Sequence, residues 1–227
     1  MTPRLSTPFA TLVLLVSASA AAQPPGDTGS GQDASDADVA AEGFELPRDP
    51  DAIDPVLAVD VHFSAVVPIA SGPLCPPGEE CVFGAGGGVG LGLERRWPNG
   101  IALGIGYDAW FLDSNNVYEL AVMQMLSARL RYYFLPESIV HPWLGVAVGA
   151  LIFGDTLQIA TLGVAGVAEV GLEWELTESI ALLLGIPFRF FTTSSFQTRR
   201  DRVERAEEPG LNVAAAFQFG LAITETP

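Results

Sequence analysis

Lysine is absent from all 227 residues, and eleven arginines stand against 27 Asp and Glu, for a formal net charge of −16. So acidic a chain is unsuited to nucleic acid, whose phosphates demand a basic surface. Histidine and cysteine are nearly missing as well, with two of each. Neither His62 nor His141 lies close in sequence to Cys75 and Cys81, and no third cysteine exists, so a metal or redox role for the pair lacks its parts. Beyond the N-terminal stretch no run of about 18 apolar residues occurs, so no membrane-crossing helix is expected.

The first 22 residues have the composition of an export signal. Arg4 precedes an apolar run over 9–16, and small residues lead to Ala20-Ala21-Ala22 before Gln23. This reads as a signal peptide over 1–22, cleaved on secretion, with no cysteine at the cut to carry a lipid anchor. About 200 residues remain, enough for one domain with a substantial core. Residues 23–55 hold nine acidic side chains and one base, Arg48, among Gly, Pro, Ser and Ala. Such a stretch lacks the apolar mass to offset its ordering entropy and is expected to be a disordered acidic leader. It contains no D-x-[DN]-x-[DN]-G calcium loop. In an exported chain Cys75 and Cys81, which bracket Pro76-Pro77-Gly78-Glu79-Glu80, are expected to form a disulfide closing a small loop.

From residue 56 onward the dominant pattern is alternation. Over 118–134, Tyr118, Leu120, Val122, Leu126, Ala128, Leu130, Tyr132 and Phe134 share one face, while Glu119, Met123, Ser127, Arg129 and Arg131 share the other. Successive strand side chains point to opposite sides, so one face suits hydrocarbon and the other holds ions. Eight strands are expected, at about 56–67, 83–96, 100–112, 118–134, 141–153, 159–175, 179–192 and 210–223. Many exceed the roughly 9–11 residues that cross a bilayer obliquely. Links after the second, fourth and sixth are short and made of turn formers: Trp97-Pro98-Asn99-Gly100, Leu135-Pro136-Glu137-Ser138 and Leu176-Thr177-Glu178-Ser179. On the other side the first and last links, 68–82 and 193–209, are long. An even strand count, with short turns on one side and longer loops on the other, is the plan of an outer-membrane barrel.

Sorting by face puts Leu57, Val59, Leu103, Ile105, Val146 and Phe217 among many outward residues, and Asp60, His62, Asp108 and Gln218 inward. Eight more charges also fall inward: Glu94, Glu119, Glu169 and Glu173 with Arg96, Arg129, Arg131 and Arg189. Charges removed from water are costly unless paired, so these are expected to form one cross-strand lumen network. A narrow barrel needs small residues beside such pairs, which Gly84, Gly86, Gly88, Gly90 and Gly92 supply. Gln124 and Arg95 resist the sorting and fall on the lipid face. Aromatics gather at both rims, Trp97, Tyr132, Phe134, Trp143 and Trp174 by the short turns and Trp110, Phe111, Tyr118, Phe153 and Phe190 by the long loops. Two girdles bounding an apolar band are expected of a barrel crossing a membrane.

With stretches such as Pro142 to Ala150 and Gly210 to Thr224, residues 56–223 resemble the small eight-stranded outer-membrane β-barrels, the OmpA/OmpX-like superfamily of Gram-negative bacteria. The resemblance is one of pattern rather than of a diagnostic motif. It implies an all-β, antiparallel, up-and-down transmembrane barrel over 56–227, located in the bacterial outer membrane. It further implies a monomer whose partners are membrane lipid and lipopolysaccharide, with long loops free to meet an extracellular partner.

Catalysis has little to work with, and no catalytic, cofactor or metal residue is assigned. Asp60-x-His62-x-Ser64 is triad-like only on paper, since three residues in a row on one strand face are also the polar filling a barrel needs. Some small outer-membrane barrels modify lipid A with a His/Ser pair at the membrane face, but neither histidine falls there. The string Gly84-Ala85-Gly86-Gly87-Gly88-Val89-Gly90 opens no helix, which argues against a nucleotide site. Residues 198–208 carry four arginines that could dock an anionic surface; the plainer reading, adopted here, is a solvated, self-neutralising loop with i,i+4 pairs such as Arg200 with Glu204. The expected role is structural or surface-binding, with the lumen filled by charge. The rival readings are a narrow channel, a lipid-A-modifying enzyme and a soluble lipocalin-like carrier with its faces reversed.

Overall fold

A computed structural model describes residues 55–135, 138–156, 158–208 and 210–225. The expected signal peptide and acidic leader lie outside the described residues. Eight long strands, all antiparallel to their neighbours, run β1 (Val56–Ala70), β2 (Gly86–Arg96), β3 (Ile101–Leu112), β4 (Ala121–Tyr133), β5 (Val140–Asp155), β6 (Gln158–Thr177), β7 (Ile180–Thr193) and β10 (Asn212–Thr224). Each pairs with its sequence neighbour, and β10 pairs with β1 to close the barrel. Two short strands, β8 (Phe196–Gln197) and β9 (Glu204–Arg205), form a separate hairpin in the last long loop.

Closure leaves no open sheet edge, and the alternation then decides what faces each way. Burial along β4 runs strictly two by two from Met125 to Tyr133. Leu103, Ile105, Leu130, Val148 and Phe217 are among the apolar side chains exposed outside, with Val146 at 55%. Inside lie Asp60, Glu94, Asp108, Arg129, Arg131, Glu169, Glu173 and Arg189, all buried. Apolar residues outside and ions inside overturn the soluble-carrier reading, which needs the reverse. Gln124 ceases to be an anomaly, because it accepts a hydrogen bond of 2.8 Å from the Tyr107 hydroxyl on the neighbouring strand.

Three expectations need correction. Strand β4 begins at Ala121 rather than near 118, because the Asp155 carboxylate accepts the backbone N–H groups of Glu119 and Leu120 and holds them in a loop. Of the supposed girdle residues, Trp110, Trp143 and Phe153 point into the barrel, since height along a strand does not set the side that parity sets, while Tyr118, in the loop before β4, is buried against Phe153. Charge also fills only part of the lumen. Toward the long loops the interior is apolar, with Trp110, Met123, Met125, Leu151, Phe153 and Phe191 packed together under Leu74, Val82 and Phe83 of the first loop.

Candidate functional site

The charged part of the lumen occupies the half nearer the short turns. Glu94 is its hub, accepting from Arg96 Nε at 2.6 Å, Arg131 Nη1 at 3.2 Å and the Tyr133 hydroxyl at 2.7 Å. Arg96 also clasps Glu173 with two nitrogens, at 2.6 and 2.9 Å, the bidentate geometry in which guanidinium–carboxylate pairs are strongest. Arg131 Nε donates to Glu169 at 2.8 Å while its guanidinium stacks 4.5 Å from the Trp143 ring.

A second cluster adjoins the first. Arg129 Nη2 donates to Asp108 Oδ2 at 3.0 Å, and Arg189 Nη2 lies 3.6 Å from Asp108 Oδ1. His62 bridges Asp60, at 2.8 Å from Nδ1, and Asp108, at 2.9 Å from Nε2. Asp60 Oδ2 lies 3.7 Å from both Arg129 Nη1 and Arg131 Nη1, which joins the two clusters. Glu119 has no place in this arrangement: it is exposed in the loop before β4, cut off from the lumen by the strand's later start. Asp60, His62, Asp108 and Tyr133 take part although they were not among the eight residues of the expected network. Register could have found them, since His62 and Asp108 both pair with Gly90 from opposite sides.

That register also explains the glycines. A Cβ on Gly90 would strike the His62 ring, one on Gly92 the Asp60 carboxylate, and one on Gly106 the Arg129 guanidinium. Glycine is required there for space, so that polar side chains from strands two apart can meet over a bare backbone. The same geometry dissolves the paper triad. Both ring nitrogens of His62 are taken by Asp60 and Asp108, and the Ser64 hydroxyl is without a hydrogen-bond partner among the described residues.

At the long-loop end the first and last loops close over the apolar core. Cys75 and Cys81 are joined by a disulfide, with their Cα atoms 4.4 Å apart. The chain before it passes through a short 3-10 turn, Gly72–Leu74, where Gly72 adopts φ +44° and leaves no room for a side chain against the Leu211 carbonyl. Arg205, 0% exposed, donates to the Leu74 carbonyl at 3.0 Å and to Asp201 at 2.6 Å. The i,i+4 pair in this loop is therefore Asp201 with Arg205, not Arg200 with Glu204. Arg199 donates to Gln158, and Arg200 to the Asn116 carbonyl. Beside them opens a cleft of about 530 Å³, lined among others by Tyr118, Glu119, Gln158, Gln197, Arg199 and Arg200. Burial pushes the Tyr118 phenol up to about 12.

No protein-family model matches the chain, and no curated protein matches it by sequence. Solved structures do. Neisserial surface protein A superposes with a TM-score of 0.53 at 12% identity, over 74% of this chain and 96% of that one. The fold is that of the small eight-stranded outer-membrane barrels. OprG from Pseudomonas aeruginosa also matches, at 14% identity and TM-score 0.48 over 77% of this chain and 97% of its own. So does Ail, the attachment invasion locus protein of Yersinia pestis, at 9% identity and TM-score 0.43 over 76% and 100%. The belt of exposed Leu, Ile, Val and Phe gives this barrel the surface that a bilayer requires, and the bacterial outer membrane is where barrels of this fold reside.

Proposed function

We propose that the protein is a closed outer-membrane scaffold that binds at its surface rather than conducting. The observation that carries this is the filled lumen, apolar toward the long loops and ion-paired toward the short turns. An eight-stranded barrel is only wide enough for its own side chains to fill, so a continuous water path needs some of them to move. With transport set aside, binding falls to the loops, the part of a rigid barrel free to vary. The cleft beside Arg199 and Arg200 is the candidate surface, and its guanidiniums suit an anionic group such as the phosphates of lipopolysaccharide. In this reading the chain is a monomer, its acidic leader extends into the periplasm, and the disulfide-bearing loop faces outward.

Planar-bilayer recording tests the proposal. The unmutated protein should be silent, whereas Arg129→Ala, which leaves Asp108 and Asp60 short of a cation, should admit ions or fail to fold stably. A large, steady conductance from the unmutated protein would replace the scaffold by the channel. Orientation is checked separately, by reducing intact cells and labelling Cys75 and Cys81 with a membrane-impermeant thiol reagent. Labelling confined to permeabilised cells would invert the topology.

A further inference from the structure

Both ring nitrogens of His62 face carboxylate oxygens, Nδ1 at 2.8 Å from Asp60 Oδ1 and Nε2 at 2.9 Å from Asp108 Oδ1. A neutral imidazole donates from one nitrogen and presents a lone pair at the other. A lone pair held at hydrogen-bond distance from an ionised carboxylate repels it, and no water fits between. The contact is attractive at both ends only when a proton sits in each gap.

The charge count of the lumen points the same way. Among the described residues, the strands carry five carboxylates into it (Asp60, Glu94, Asp108, Glu169 and Glu173) against four guanidiniums (Arg96, Arg129, Arg131 and Arg189). An uncompensated charge is costly where water is excluded, so one positive charge is missing. We infer that His62 is a buried proton-binding site, an imidazolium that supplies the fifth positive charge and makes the lumen neutral.

The surroundings place the proton on the ring rather than on a carboxyl. Arg129 and Arg131 of β4 face Asp60 of β1, and Arg129 with Arg189 of β7 faces Asp108 of β3, so cations hold both carboxylates ionised. Toward His62 and its two carboxylates strand β2 offers Gly90 and Gly92, with Glu94 beyond them bound to Arg131. Strand β10 places Gly220 opposite His62 and Gln218 opposite Ser64. The proton thus ties β1 to β3 across Gly90 of β2, where the intervening strand has no side chain. Its removal would leave a lone pair against a carboxylate and one unbalanced negative charge within the plug.

The inference rests on the closed-lumen reading only in that His62 and its two carboxylates must be shielded from water, and the proton can be read directly. The full chain, labelled with ¹⁵N-histidine and folded in detergent micelles at pH 7.5, should give a His62 ring in which both nitrogens bear hydrogens at the imidazolium frequency. The chain has only two histidines, so His141→Gln leaves this signal alone and His62→Gln removes it; either variant assigns it. A His62 ring with one nitrogen at the unprotonated frequency would overturn the inference. A barrel that conducts yet shows the imidazolium would sink the scaffold and spare the proton site. A silent barrel with a singly protonated ring would do the opposite.

Discussion

The Arg189 guanidinium lies 4.2 Å from the centroid of the Trp110 ring. This contact is the seam between the two halves of the lumen. Trp110, 0% exposed, belongs to the apolar cluster, while Arg189 reaches toward Asp108 in the charged one. Arg189 Nε and Nη1 have no hydrogen-bond partner among the described residues, so the ring face is a principal support of this buried cation. Trp110→Ala should destabilise the barrel by about 3–5 kcal/mol through lost volume, and uncover the guanidinium besides. Trp110→Phe keeps a π face and should cost clearly less. Urea titrations in lipid vesicles, read by heat-modifiable gel migration, decide this. Equal costs for the two variants would mean that the π face contributes nothing.

Gly106 is where the Arg129 guanidinium lies down on the β3 backbone, so closely that a Cβ would overlap it. Gly166 meets nothing nearer than the Ala147 carbonyl at 4.0 Å. Gly106→Ala should therefore cost about 1–3 kcal/mol, as overpacking does, while Gly166→Ala should be neutral or slightly stabilising. The same vesicle titration compares them. If Gly106→Ala were as harmless as Gly166→Ala, the guanidinium would have to be free to sit elsewhere.

Parity was legible in the sequence because it is local. Arg129, Arg131, Leu126 and Leu130 declare their sides within a few residues, and the eight strands with their short and long links follow from the same pattern. Pairing was not legible, because it depends on register between strands. Tyr107 rescues Gln124 diagonally across β3 and β4, and Gly90 stands between His62 and Asp108; neither relation exists within a single segment. Trp143 shows the same limit. Its height suited an interfacial ring, yet its parity turns it inward onto Arg131. Loop geometry was least legible of all. Nothing periodic marks Glu119 as anchored by Asp155, or Arg205 as the buried arginine among four.

Leu103 stands on the outer face of β3, paired with Arg95 and Leu130 across its two neighbours. If that face meets lipid, Val146→Arg, near the middle of β5, should cost about 2–4 kcal/mol in a bilayer folding titration, and Leu103→Arg, nearer the short-turn end beside Arg95, clearly less. Burial alone does not yield this, because both side chains are exposed and would tolerate arginine in water. The titration repeated in detergent micelles, which deform around a charge, should shrink the penalty. Neutral behaviour of both variants in the bilayer would remove the membrane from the outer face.

The last loop should respond to acid through Asp201. Burial opposes ionisation of its carboxylate, but the Thr198 hydroxyl, the Val203 N–H and the Arg205 guanidinium all donate to it and hold it below the usual carboxylate range. A carboxylate depressed in the folded state contributes stability that is complete above its unfolded value of about 4 and is lost as pH falls through the lower folded value. The carboxylate is partly open to solvent, so the effect is confined to the β8–β9 hairpin and its hold on the first loop through Arg205 and Leu74. Amide protection at Arg202, Val203 and Ala206, corrected for intrinsic exchange, should be constant above pH 5 and fall at lower pH, while that of the barrel strands holds. Asp201→Asn should show the weakened protection already at pH 7 and lose the pH dependence. Were the variant to lose protection with acid just as the unmutated chain does, some other group would be the one titrating.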